Sequence, residues 1–148
     1  MICELPYLTV AAALLTTVIC GACSGPTSLS GPDGTAPTLE RIGGTWTLVT
    51  LKPPGKAEVA PPAGAISSME VADGRAAVRA DCNRCNGPAA VGASTLTVGP
   101  ILACTRAACA SAPLDAAFLR ILAGESAATL EDDTLTLGSD RGVLLFRR

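Results

Sequence analysis

Four cysteines, arranged as two close pairs, constrain the fold of this chain more than any other sequence feature. Of its seven cysteines, Cys3, Cys20 and Cys23 lie near the N-terminus, and the other four lie in the body of the chain. Those four form a C-x2-C pair and a C-x4-C pair: Cys82, Cys85, Cys104 and Cys109. An even number of cysteines in a small exported domain indicates disulfide bonds that join distant segments.

The spacing alone leaves two other uses of these cysteines open. Two pairs of thiolates can hold a zinc ion in a tetrahedral knuckle, which suits a protein that stays in the cytosol. Cys82 and Cys85 could serve thioredoxin-like redox chemistry, although the strand, helix and aromatic residues typical of that site are missing. The disulfide interpretation is favoured because thiols are oxidised outside the cytoplasm and the N-terminus predicts export.

Residues 1–22 predict a signal peptide. Within them, residues 8–22 are uncharged and apolar, are followed at once by small polar residues, and are too short for a transmembrane helix. The end of this stretch, ICGACSG, resembles a bacterial lipobox, in which small residues precede a cysteine that is acylated and becomes the mature N-terminus. Because Ala22 is small, Cys23 is the predicted lipidation site. A secretory signal without a lipid is the alternative.

Residues 23–38 predict a lipidated N-terminus followed by a flexible linker. Their Gly, Pro, Ser and Thr content cannot bury enough apolar surface to fold. A coil of about 15 residues spans on the order of 20 Å. We therefore expect a domain anchored to the membrane on the extracytoplasmic side of the cell envelope, or a secreted domain if no lipid is attached.

Residues 39–148 predict one small β-rich domain. Residues 45–50 alternate polar and apolar side chains, which places Trp46 and Leu48 on the same face of a strand. The Pro- and Gly-rich residues 53–64 predict a surface loop, because proline cannot donate a hydrogen bond to a sheet.

Apolar runs separated by turn residues predict three further antiparallel pairs. The strongest signal is an Asp-Gly dipeptide between two such runs, which is typical of a tight hairpin. The predicted pairs are residues 66–71 with 75–80, residues 94–98 with the run from Ile101, and residues 134–137 with 143–146.

One segment has the apolar spacing of a helix, with Ser111 placed to cap its start and Gly124 just past its end. The predicted architecture is therefore mainly β: a small antiparallel, barrel-like sheet with one helix packed across it, stapled by two disulfides. The apolar face of the predicted helix consists of Leu114, Phe118, Leu119 and Leu122.

The composition argues against catalysis and against binding of nucleic acid. Lys and Arg number 11 against 13 Asp and Glu, so the chain has no basic excess to attract phosphates. It contains no histidine, no Gly-x-Ser-x-Gly elbow and no phosphate-binding glycine loop, so we expect neither an enzyme nor a bound cofactor or metal. Glu131, Asp132 and Asp133 could form a carboxylate pair or calcium ligands, but a solvated turn is favoured.

The order of several motifs resembles the META domain of bacterial HslJ-type heat-shock lipoproteins. These motifs are GTWTL, CNR followed by Gly, LTVGP, TR followed by AC, a helix, and a closing LTL with LLF. The similarity covers residues 39–148. It implies a small β-dominated fold, an envelope location and an association with stress tolerance and secretion, without an established catalytic mechanism. Relative to simpler members of the family, the chain has an additional pair, Cys85 and Cys104, which could offset its few aromatic residues.

Antiparallel neighbours cross-link in nested order, which predicts Cys82 with Cys109 and Cys85 with Cys104. The first pair also matches the two cysteine motifs of the family. Crossed pairing, Cys82 with Cys104, is the alternative, because strand ends can twist enough to exchange partners. The two bridges would hold a possible interaction rim, which consists of Asn83, Arg84 and Arg106. The favoured alternative for Arg84 and Arg106 is that they are simply exposed or pair with nearby acidic residues.

Two functions remain open from the sequence. The first is a non-enzymatic, lipid-anchored module that binds an envelope protein and supports stress tolerance. The second is a small inhibitor or carrier that binds a small ligand in the mouth of its barrel. A filled interior with an exposed patch would favour the first, and an open apolar interior would favour the second.

The lipobox interpretation makes a direct prediction. A Cys23→Ser variant should lose its association with membranes, because the thiol that carries the lipid is gone. Fractionation of cells that produce either form measures this loss. Mass spectrometry that finds an unmodified mature N-terminus at a residue other than Cys23 would contradict the prediction.

Overall fold

Antiparallel strands account for most of the computed structural model, which describes residues 39–148. The predicted signal peptide, lipidation site and linker lie outside the described residues. The helices are α1 (Leu39–Ile42) and α2 (Ala112–Leu122). The strands are β1 (Gly44–Lys52), β2 (Ser67–Ala72), β3 (Arg75–Ala80), β4 (Asn83–Val91), β5 (Thr95–Val98), β6 (Ala103–Cys104), β7 (Gly124–Glu131), β8 (Thr134–Ser139) and β9 (Gly142–Arg147).

The sheet closes on itself as a barrel. Its hydrogen-bonded order is β3-β2-β1-β9-β8-β7-β5-β4, and β4 returns to pair with β3, so eight antiparallel strands form a ring. The two-residue β6 pairs with β4 outside this ring. Closure pairs the backbone N–H and carbonyl groups along the strand edges, which would otherwise stay unpaired and exposed. The predicted barrel-like sheet with one packed helix is confirmed.

Large side chains from the strands and α2 fill the barrel interior. Trp46, Met69 and Phe146 are fully buried, and the Trp46 indole donates a hydrogen bond to the carbonyl of Ile42 at 2.6 Å. The helix α2 packs against β3 and β9, with the rings of Phe118 and Phe146 6.1 Å apart. Such contacts stabilise the domain mainly by removing apolar area from water.

The predicted helix face is largely correct. Phe118 and Leu122 are buried, Leu114 and Leu119 are half-buried, and Ile121 is a further buried residue. The predicted cap is wrong in its chemistry. Ser111 occupies the N-cap position, but its side chain makes no capping hydrogen bond, because its hydroxyl faces two carboxylates instead.

Most of the predicted strands and turns are confirmed. Trp46 and Leu48 share the buried face of β1. The hairpin β2–β3 turns through Asp73 at φ 50° and Gly74 at φ 71°, the left-handed conformations that a tight hairpin requires. The predicted hairpin β8–β9 forms, and residues 53–64 are a loop that pairs with a strand only through Val59.

One predicted pairing is wrong, and the strands β4 and β7 were not predicted. The strand β5 pairs with β4 and β7, not with the run from Ile101, because β7 returns after α2 and occupies that edge. The run contributes only β6. Cys82 lies in the turn just past β3, and Cys85 lies inside β4. Within residues 39–148, neither helix combines the length and apolar character needed to cross a membrane.

Candidate functional site

Two disulfides fasten the segment between β5 and α2 onto β4. They join Cys82 to Cys109 and Cys85 to Cys104, with Cα atoms 5.8 Å and 4.0 Å apart. The nested pairing is confirmed, and the crossed pairing is wrong. Cys85 and Cys104 stand directly opposite each other in the β4–β6 ladder. Because each of the four sulfurs is bonded to one other cysteine sulfur, none is a thiolate that could bind zinc in the knuckle considered above.

Asn83 adds a network of hydrogen bonds to these bridges. Its amide Nδ2 donates to the carbonyl of Ala107 at 3.1 Å and to Sγ of Cys109 at 2.9 Å. Its Oδ1 accepts from the backbone N–H of Ala107 at 2.8 Å and from the Thr105 hydroxyl at 3.1 Å. Both the nitrogen and the oxygen of the amide therefore hold the segment between β5 and α2. Asn83 is thus a structural residue of the predicted rim.

Thr105 completes the attachment. Its hydroxyl accepts from the backbone N–H of Arg84, and its own N–H donates to the carbonyl of Arg84, both at 3.0 Å. Gly87 allows the segment to approach β4, since a Cβ there would lie 2.6 Å from Cδ2 of Leu102. We call the two disulfides, Asn83 and Thr105 the clamp.

The clamp leaves two predicted rim residues free at the surface. Arg84 and Arg106 are exposed and line the same open groove of about 510 Å³, together with Asn86 and Leu102. Within residues 39–148 neither arginine forms an ion pair, the two observed pairs being Arg141–Asp140 and Arg148–Asp133. The guanidinium groups are therefore available for an external anion, and guanidinium binds planar carboxylate or phosphate groups through paired hydrogen bonds.

A third arginine, which sequence reasoning missed, extends this surface. Arg79 stands directly opposite Arg84 in the β3–β4 ladder, and both side chains are exposed. Like charges in this position repel each other across a sheet, and Nε of Arg79 donates to the backbone carbonyl of Asp81 at 2.9 Å. Recognising β4 as a strand would have revealed that Arg79 and Arg84 face each other, because the two-residue turn between β3 and β4 fixes the register of these strands. We call Arg79, Arg84 and Arg106 the arginine rim.

The acidic run lies elsewhere and has the geometry of a solvated turn. Glu131, Asp132 and Asp133 are all exposed at the β7–β8 connection, where Asp132 has φ 49°. Asp133 lies 3.7 Å from the guanidinium of Arg148. This arrangement agrees with the interpretation favoured from the sequence.

Comparison with known proteins identifies relatives of the fold. Residues 37–148 match the META domain family. A solved NMR structure of a protein from Burkholderia xenovorans is similar with a TM-score of 0.63 and 21% identity, covering 84% of this chain and 96% of that one. A second NMR structure is similar with a TM-score of 0.59 and 22% identity, covering 74% and 93%. At such identity the likeness concerns the fold alone. No curated protein matches the chain.

The hydrogen bonds of Asn83 predict a stability effect that its neighbour should not share. Asn83→Ala should lower the free energy of unfolding by about 1 kcal/mol, because it removes the hydrogen bonds that hold Thr105 and Ala107 on β4, although the freed groups of the exposed Ala107 can then bind water. Asn86→Ala is the matched control, since Asn86 is exposed on the same strand. Denaturant unfolding of the oxidised proteins measures both changes. Equal stability of the two variants would contradict the structural role of Asn83.

Proposed function

The chain belongs to the META domain family, and from that premise we propose that it is a non-enzymatic, lipid-anchored envelope protein that binds an anionic partner and supports tolerance of envelope stress. The observation that carries the proposal is the arginine rim. Arg84 and Arg106 project into one groove, and no carboxylate among residues 39–148 pairs with them. Charge of this kind, held at the surface without an internal partner, fits recognition of an oppositely charged surface.

The clamp supports this role because it reduces the cost of binding. A partner that engages a mobile loop must first order it, which consumes part of the interaction free energy. Arg84 lies on β4, and Arg106 lies between Thr105 and Ala107, both of which are hydrogen-bonded to residues of β4. The backbone beneath the guanidinium groups is thus fixed before a partner arrives.

The barrel interior favours an interaction module over the carrier. Leu135, Leu144 and Phe146 are fully buried there along with Trp46 and Met69. Side chains at interior density leave little room for a ligand of ordinary size, which needs a cavity of roughly 300 Å³ or more. The carrier or inhibitor remains the second candidate, and a stoichiometric small ligand copurifying with the protein would favour it.

Two features favour an envelope location. The signal-like N-terminus and Cys23 favour export and lipidation. The clamp fits an oxidising compartment, where disulfides form and persist. Membrane anchoring would place the arginine rim within reach of envelope proteins that carry acidic surfaces.

The rim predicts a separation of binding from stability. A double variant, Arg84→Ala with Arg106→Ala, should unfold within about 0.5 kcal/mol of the native protein, because exposed and unpaired side chains contribute little to folding. It should nevertheless capture less partner in crosslinking from membranes and protect cells less under envelope stress. Added salt should weaken capture by the native protein, since the attraction is between charges.

A charge-matched control distinguishes a specific rim from a general loss of positive charge. Arg120 and Arg147 are also exposed, one on α2 and one on β9. Replacing both by Ala should leave capture and protection unchanged. If the Arg84 and Arg106 variant behaves like the native protein in both assays, the rim is structural and the proposal fails.

A further inference from the structure

A second polar cluster lies where the β3–β4 turn meets the start of α2. The hydroxyl oxygen of Ser111 is 2.8 Å from Oδ2 of Asp81 and 2.8 Å from Oδ2 of Asp115. Ser111 and Asp115 are each only 5% exposed, and Asp81 is half-buried. Three oxygen-bearing side chains from two distant parts of the chain thus converge below the surface.

Hydrogen bonding within the cluster does not satisfy it. A serine hydroxyl carries one hydrogen, so it can donate to only one of the two carboxylates. The other carboxylate then faces the hydroxyl oxygen with no hydrogen between them. In addition, Oδ1 of Asp115 is buried and has no hydrogen-bond partner among residues 39–148. An unpartnered carboxylate oxygen below the surface is costly, and each such atom in a native structure needs an explanation.

No basic side chain supplies that explanation within the described part of the chain. The ion pairs there are Arg141 with Asp140 and Arg148 with Asp133, and neither involves Asp81 or Asp115. The start of α2 brings some positive potential to Asp115, but the partial charge of a helix end is only about half an elementary charge. The guanidinium of Arg79 donates to the backbone carbonyl of Asp81 at 2.9 Å and not to either carboxylate, so the two carboxylates share a small volume without an ion pair.

The donor set selects the class of cation. Three side chains each offer one ligand atom, and these atoms lie within 4.8 Å of one another: Asp81, Asp115 and Cys109. The sulfur of Cys109 is bonded to Cys82 and cannot act as a thiolate, which leaves oxygen donors and disfavours soft metals such as zinc. Calcium accepts irregular arrangements of carboxylate, hydroxyl and water oxygens, whereas magnesium requires near-ideal octahedral geometry.

We propose that Asp81, Ser111 and Asp115 form a calcium-binding site. A depression of about 370 Å³, lined by Asp81, Ser111, Pro62 and Gly64 but not by the buried Asp115, gives access from solvent to the Asp81 and Ser111 side of the cluster. The site joins the β3–β4 turn to the first turn of α2 beside the Cys82–Cys109 bridge, so bound calcium reinforces the clamp. Two carboxylates and a competing helix end place the dissociation constant in the weak range, about 10⁻⁴ to 10⁻³ M.

Thermal unfolding of the full-length, oxidised protein tests the site. About 10 mM calcium chloride should raise the melting temperature by roughly 6 to 12 °C over sodium chloride at the same ionic strength, because calcium binds only the folded state. Titration calorimetry should find one calcium ion per chain. An equal rise with sodium chloride, or no rise with calcium, overturns the proposal.

Variants locate the effect. Asp115→Asn and Asp81→Asn should each abolish the calcium-dependent rise, since each removes a carboxylate ligand. Asp132→Asn is a matched control for Asp81→Asn, because both aspartates sit at a hairpin turn with left-handed backbone, at φ 49° and 51°. The control should keep the full rise. Should Asp115→Asn fail to fold, Asp81→Asn still decides, and a rise that persists in that variant refutes the site.

Discussion

The clamp between β4 and the segment that follows β5 is the constraint on which the rest of the structure depends. Between Val98 and α2 the chain has only the two residues of β6 in a strand, so regular hydrogen bonding cannot hold it. The two disulfides, with Asn83 and Thr105, take the place of a strand ladder there. That same segment carries Arg106 of the arginine rim and leads into Ser111 of the calcium site. Both proposed sites therefore depend on the clamp for their geometry.

The clamp also compensates for a modest core. Aromatic residues make up 3% of the chain, and the barrel is filled mostly by aliphatic side chains around Trp46, Phe118 and Phe146. A small domain with such a core gains little from burial to set against its chain entropy, so covalent links contribute a larger share of its stability. Closure of the ring adds to this by leaving no open edge between β3 and β4.

The sequence predicted elements whose signals are local and missed those set by distant contacts. Alternation around Trp46, the Asp-Gly turn at Gly74 and the spacing of Phe118 and Leu122 were sufficient for β1, the β2–β3 hairpin and α2. The strands β4 and β7 were not predicted, because Gly87, Pro88 and runs of Ala and Ser obscure the alternation of polar and apolar residues that marks a strand. The nested disulfides could be predicted from topology alone. The pairing of Arg79 with Arg84 could be predicted only after β4 had been identified as a strand. The cluster of Asp81, Ser111 and Asp115 spans more than 30 residues, and the position of Ser111 suggested a helix cap instead.

Amide hydrogen exchange of the oxidised and reduced protein tests the central role of the clamp most directly. Closing a loop of about 20 residues contributes roughly 3 kcal/mol on the chain-entropy account. Complete reduction opens two bridges and should therefore lower the free energy of unfolding by at least that amount, and protection should be lost first in residues 103–111 and the facing part of β4. The β8–β9 hairpin, which the disulfides do not touch, should stay protected while the protein remains folded. Unchanged exchange in residues 103–111 after complete reduction would contradict the account.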